Sequence, residues 1–144
     1  MSYTYQYPRP AVTVDAVVFK NIASNLQVLL IKRKHEPFQG KWALPGGFIN
    51  MDETLETAAY RELEEETGIS NLELHQLHAF SSIDRDPRGR TISIVFWGIV
   101  KSNVVAVSGD DAADAAWFTI DKLPELAFDH QDVLEMALQK SQKP

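Results

Sequence analysis

The chain has 144 residues, 44% hydrophobic and 24% charged, the size and balance of one ordinary globular domain, which disfavours a disordered or fibrous class. Cysteine is absent, so disulfides, thiolate nucleophiles and sulfur-ligated zinc are excluded, and any metal must use oxygen or imidazole. The formal net charge of -6 argues against sequence-independent binding to nucleic acid, yet permits a small phosphorylated ligand where a cation or an arginine cluster inverts the local field.

No stretch approaches the roughly 20 consecutive apolar residues of a membrane span. The start, Met1-Ser2-Tyr3-Thr4-Tyr5-Gln6, lacks a secretory pattern. A single domain over residues 1–144, in the cytoplasm and without a membrane partner, is therefore expected.

In chain order, Val12 to Phe19 and Leu26 to Ile31 are β-branched runs around Asn21 to Asn25, which predicts a hairpin-like pair of strands. Lys32 to Gly47 is dense in charge, glycine and proline and reads as a functional loop, with Pro45-Gly46-Gly47 a strong breaker. Thr54 to Thr67 has helix length without proline or glycine, with Asp52 as a candidate N-cap and Gly68 as the stop. Leu72 to Ile83 and Thr91 to Val100 read as strands joined by the charged connector Asp84 to Arg90, and Ala115 to Phe118 adds another. The spacing of Val133, Leu134, Ala137 and Leu138 predicts a last helix over His130 to Lys140, with Asp129 as its cap. Strands interleaved with two helices predict an α/β sandwich, whose strand order the sequence leaves open.

The first helix carries too much charge for its position. With Leu55 at zero, Ala59 falls at about +40°, Leu63 at about +80° and Ala58 at about -60°, which defines the buried arc. Glu62 falls at about -20°, Glu66 at about +20° and Glu65 at about -80°, whereas Glu64 points away. Glutamates are good helix formers, and a solvated surface suits Glu56 and Glu64. It does not suit Glu62, Glu65 and Glu66, where like charges three and four residues apart repel by roughly 0.2 to 0.5 kcal/mol per pair. Hard carboxylate oxygens without sulfur favour Mg²⁺ or Mn²⁺ there, and Arg61 can orient a carboxylate through its planar fork.

Gly47, then Glu53 after five residues, then Arg61-Glu62-Leu63-Glu64-Glu65-Glu66-Thr67-Gly68-Ile69 after seven more, resembles a complete Nudix box. The resemblance implies a Nudix-type α/β/α sandwich with a mixed sheet. It also implies metal ligation by Glu62, Glu65 and Glu66 and the Gly46 carbonyl, with Arg61 orienting and Glu53 supporting. Outside the box, Lys41 to Phe48, Arg85 to Arg90, Gly109 to Ala112 and Leu126 to His130 resemble the ADP-ribose pyrophosphatase branch. The same segments are similar to the ligand-sensing domain of Nudix-related transcriptional regulators.

The resemblance implies hydrolysis of ADP-ribose to AMP and ribose 5-phosphate. A nucleoside-triphosphate or dinucleoside-polyphosphate hydrolase and a non-catalytic ADP-ribose sensor are the alternatives. Glu62, Asp110 and Asp111 are the candidate general bases, although the two aspartates equally suit a solvated turn after Gly109. Arg85, Arg88 and Arg90, with Arg33, suit a substrate phosphate or, equally, a surface network with Asp84 and Asp86. Phe38 and Trp42 either stack on a base or anchor their loop, and His130 either begins the last helix or walls the ligand. A homodimer is a family-level expectation, for which Tyr3, Tyr5 and Tyr7 are candidate interface residues.

Overall fold

The fold was analysed in a computed structural model that describes residues 2–109 and 112–142. Its strands are β1 (Ala11–Ile22), β2 (Asn25–Arg33), β3 (Trp42–Ala43), β4 (Gly46–Phe48), β5 (His75–Phe80), β6 (Thr91–Val100) and β7 (Ala112–Thr119). The helices are α1 (Leu55–Thr67) and α2 (His130–Ser141), and a 3₁₀ turn spans Ile120–Lys122.

One mixed sheet runs β3-β2-β1-β6-β5, with β4 also paired to β1 and β7 to β2. The β1 and β2 runs form the expected antiparallel pair, turned by Ala23 and Ser24 at φ 48° and 71°. Strand β6 lies parallel to β1 over ten residue pairs, from Ala11 opposite Thr91 to Lys20 opposite Val100.

Strand β1 is buried without interruption from Thr13 to Lys20 because a helix covers each face of the sheet. Its residues divide with a period of two. Val17 and Phe19 pack with Val133, Leu134 and Ala137 of α2. Val14 joins Ala58 and Ala59 of α1, and Ala16 and Val18 join Leu63. The result is the expected α/β/α sandwich. Lys20 fits the buried run because its ammonium donates to the Val104 carbonyl at 2.9 Å and lies 4.1 Å from the centre of the Trp117 ring.

Four local expectations are corrected. The segment 32–47 is not one loop: β3 pairs with β2, and β4 pairs with β1 despite Pro45 and two glycines, so tertiary pairing overrides the breaker signal. The N-cap of α1 is Thr54 rather than the exposed Asp52, since the Thr54 side chain accepts the Thr57 N–H at 3.1 Å. Asp129 does precede α2, but its carboxylate makes no cap bond and is held instead by Arg85. The predicted strand 72–83 shortens to His75–Phe80, an exposed edge strand.

Tyr3 and Tyr5 stack with ring centres 6.3 Å apart, and the Arg9 guanidinium lies 3.7 Å from the Tyr5 centre. All three tyrosines of this arm are exposed. No helix among the described residues is long and apolar enough to cross a membrane.

Thr54→Ala is expected to destabilise the fold by about 1 kcal/mol, the usual effect of losing an N-cap oxygen. Urea unfolding followed by circular dichroism should show a lower midpoint with an unchanged slope.

Candidate active site

The site forms where β4 passes between β1 and α1. A Cβ at Gly46 would lie 2.2 Å from the Val14 carbonyl oxygen, and one at Gly47 would lie 2.7 Å from Glu62 Oε1. Only glycine lets the backbone come this close. The Gly46 N–H uses that proximity to donate to Glu66 Oε1 at 2.7 Å, which fixes the carboxylate of a buried glutamate.

Arg61 organises the rest of the acidic edge. Its Nε and one terminal nitrogen grip Glu53 at 2.9 and 2.6 Å, and the other terminal nitrogen donates to Glu62 at 2.8 Å and Glu65 at 3.2 Å. The Glu53 hydrogen bonds hold the guanidinium pKa above its ordinary value against the opposing effect of burial. Glu53 also accepts the Asn50 N–H at 2.7 Å, and these bonds hold its carboxyl below the usual range. Glu53 therefore ties the loop to Arg61, the supporting role that the motif implies.

The three glutamates are not equivalent. Glu66 is buried and the Glu62 side chain is 15% exposed, whereas the Glu65 side chain is 47% exposed, which corrects its expected place on the buried arc. Among the described residues no three acidic or imidazole groups close into a cation cage. The donors nevertheless fit a hard divalent cation: Glu62 and Glu66 line one cleft with Gly46, Gly47 and Arg61, and every carboxylate donor is oxygen. Magnesium-type ions are held in this open way, by one or two carboxylates plus water and substrate phosphate.

A second cleft, of about 90 Å³, adjoins the first and shares Ile31, Arg33, Gly46, Gly47, Phe48 and Glu66 with it. Arg33, Arg85 and Arg88 line it together. Arg85 makes a bidentate pair with Asp129 at 2.9 and 2.7 Å, and Arg88 pairs with Asp86 at 2.8 Å. Burial alone would raise the Asp86 pKa, but the Arg88 bonds bring it below the ordinary value. Arg33 donates to the Pro37 carbonyl at 2.7 Å, and burial, then Arg88, lower its pKa.

Phe128 faces this cluster. Arg33 and Arg88 lie 5.0 and 5.4 Å from its ring centre, and Arg88 also lies 4.8 Å from that of Phe48. Phe38 packs edge-on against Phe128 at 4.8 Å, and both residues hold positive φ, 62° and 54°. Such strain in bulky residues concentrates at ligand clamps. Trp42 instead packs on Phe118 at 4.8 Å, outside both clefts. Arg90 also lies outside them and donates to the Ser81 carbonyl at 2.6 Å. The candidate bases Asp110 and Asp111 lie outside the described residues; Gly109 just before them donates to the Glu66 carbonyl at 3.0 Å.

Sequence reasoning missed Asp15, Phe48, Phe128 and Asp86 as cleft residues and left His130 undecided. All five line the arginine cleft. His130 is 4% exposed, and its Nδ1 accepts the Leu44 N–H at 3.0 Å, which places the proton of the neutral ring on Nε2. Local periodicity marks none of these positions, although the run Phe128-Asp129-His130 carried a signal in its likeness to the pyrophosphatase branch.

The NUDIX domain profile matches residues 9–137. The chain belongs to the Nudix family of hydrolases. It is 46% identical over 130 residues to an ADP-ribose pyrophosphatase of Methanocaldococcus jannaschii, covering 90% of this chain and 73% of that protein. It is 35% identical to the ADPR responsive transcriptional repressor NtrR of Acinetobacter baylyi, covering 91% of this chain and 54% of the repressor. The chain thus spans about half the length of that relative. Its fold superposes on the NUDIX domain of Shewanella oneidensis NrtR, solved in complex with ADP ribose, with a TM-score of 0.88 and 31% identity, covering 94% of this chain and 91% of that one.

Burial lowers the His130 pKa below 6.5, and Asp15 and Asp129 oppose this only in part. As pH falls through about 6.5 the unfolded chain therefore takes up this proton before the folded one, and the folded state loses stability. Urea unfolding across pH 5 to 8 should show that decline, and His130→Gln should flatten it.

Proposed function

We propose that this Nudix domain hydrolyses ADP-ribose to AMP and ribose 5-phosphate with Mg²⁺ or Mn²⁺. The observation that carries this reading is the continuity of the two clefts: an acidic edge suited to a divalent cation opens directly into a wall of arginines and phenylalanines. The ADP-ribose pyrophosphatase relative and the ADP ribose complex of the similar Shewanella oneidensis NUDIX domain support the choice of ligand.

A cation bound at Glu62, Glu66 and the Gly46 carbonyl, with Glu65 at its margin, would neutralise diphosphate oxygens and acidify an attacking water. The chain's own residues set the geometry. Arg61 holds Glu62 and Glu65 in place, and the Gly46 N–H holds Glu66. Arg33 offers its planar fork to phosphate oxygens and Arg88, bonded to Asp86, adds positive charge beside it, while Phe128, supported by Phe38, offers a face on which the adenine stacks. Glu62, Asp110 and Asp111 are the residues proposed to receive the proton of the attacking water. Arg85, spent on Asp129, shapes the wall.

Incubation with Mg²⁺ and a panel of ADP-ribose, NADH, nucleoside triphosphates and diadenosine polyphosphates, followed by product separation, tests this function. AMP release from ADP-ribose is expected to dominate. Arg61→Gln should reduce it by roughly 10- to 100-fold, as is typical of residues that support metal ligands, and Glu66→Gln by more. Tight binding of ADP-ribose without metal-dependent AMP release would assign the domain to sensing, and preferential diphosphate release from a triphosphate would assign it to triphosphate hydrolysis.

A further inference from the structure

The floor of the arginine cleft is acidic. Asp15 reaches it from the central strand β1 with only 8% exposure, and two other elements fix its carboxylate. Ser93 on β6 donates its hydroxyl to Asp15 Oδ2, and His130 Nε2 at the start of α2 stands 3.8 Å from the same oxygen. The β1/β6 register sets Ser93 opposite Thr13, so Ser93 and Asp15 share a sheet face. The Leu44 N–H fixes the imidazole in turn at 3.0 Å. The other oxygen, Oδ1, lies beside the cleft residue Gly46, where a Cβ would come within 2.3 Å of it.

A carboxylate is the wrong group for a phosphate. Among Arg33, Arg85 and Arg88 it weakens the attraction of the cleft for any anion, and its burial is costly unless its lone pairs are used. Asp86 and Asp129 answer this by pairing with Arg88 and Arg85. The hydrogen-bond donor of Asp15 is instead a neutral hydroxyl, and an ionised carboxylate has about four acceptor positions. Acceptor capacity therefore remains at the edge of the cleft, next to Gly46. The donor it suits is uncharged and carried by a ligand that is otherwise anionic, and a sugar hydroxyl meets both conditions.

We propose that Asp15 is a specificity-determining residue that accepts a hydrogen bond from a ribose hydroxyl of the bound nucleotide, with Ser93 and His130 as its positioning residues. This rests on reading the cleft as an ADP-ribose site. ADP-ribose carries hydroxyls on both of its sugars, and a site built to bond a hydroxyl rejects the analogue that lacks it far more strongly than an apolar pocket does.

The test is steady-state kinetics with Mg²⁺ on three substrates, using wild type and Asp15→Asn. The substrates are ADP-ribose, its 2′,3′-dideoxyadenosine analogue, and an analogue whose terminal ribose is replaced by a hydroxyl-free cyclopentylmethyl group. Wild type is expected to lose roughly 10- to 100-fold in kcat/KM on one of the two analogues, mainly through KM, as befits a hydrogen bond to a charged acceptor. Asp15→Asn, whose neutral amide oxygen accepts more weakly, should narrow the wild-type gap between ADP-ribose and that analogue, on top of any uniform change that the lost charge makes on all three substrates. An equal loss by the variant on all three substrates would show that the carboxylate only shapes the cleft, and overturns the proposal. So does a wild-type enzyme that treats the three alike, a result independent of how the variant folds. Absence of ADP-ribose turnover in a wild type that splits another diphosphate overturns the ADP-ribose reading and this proposal together, and the other outcomes all require that turnover.

Discussion

The close passage of Gly46 and Gly47 between β1 and α1 is the constraint on which the site depends. A side chain at either position would collide with Asp15 or Glu62, so the missing Cβ atoms set how near the sheet and the acidic helix can stand. The approach leaves the Gly46 N–H 2.7 Å from Glu66, and it brings the Phe48 carbonyl within 3.2 Å of Arg61. Strand pairing, helix position and carboxylate orientation are thus one geometric fact. The antiparallel register of Thr13 to Asp15 with Phe48 to Gly46 carries it into the central strand, where α2 and the arginine connector also converge.

Charge in the two clefts is arranged by local neutralisation rather than by net charge. Around Arg61, three carboxylates share one guanidinium, so that edge stays negative and suits a cation. In the adjoining cleft, Arg85 and Arg88 each have an acidic partner, which permits their burial but reduces their pull on a free anion. Arg33, held by a neutral carbonyl, keeps more of its field for a ligand. An acidic protein can in this way present an arginine-lined wall without a basic surface.

Legibility in the sequence followed the range of the interactions. The boundaries of β6 and α1 and the placement of Glu62 and Glu66 toward the protein came from local periodicity, and the structure agrees with them. The helical projection set Glu65 on the apolar side with Glu62 and Glu66, and it could not show that this glutamate pairs with Arg61 with its side chain half exposed. Thr54 and Asp52 were equivalent as capping residue types, and only the path of the chain decides between them. Asp15 read as one polar residue in a β-branched run, because its partners Ser93 and His130 lie 78 and more than 100 residues away. The positive φ of Phe128, which turns its ring toward Arg33 and Arg88, has no signal in a residue type that normally avoids that conformation.

The two halves of the site therefore answer to different parts of the sequence. The acidic edge depends on one helix, one strand and a run of some twenty residues between Gly46 and Glu66, so its chemistry is carried by a short contiguous motif. The arginine wall draws residues from β1, β2, β4, the 81–90 connector and the start of α2, and its shape exists only after the sheet has closed. A change of ligand requires substitutions scattered through the chain, none of which has to disturb Arg61 or its glutamates. Loss of turnover requires only one change in the motif and leaves the wall standing.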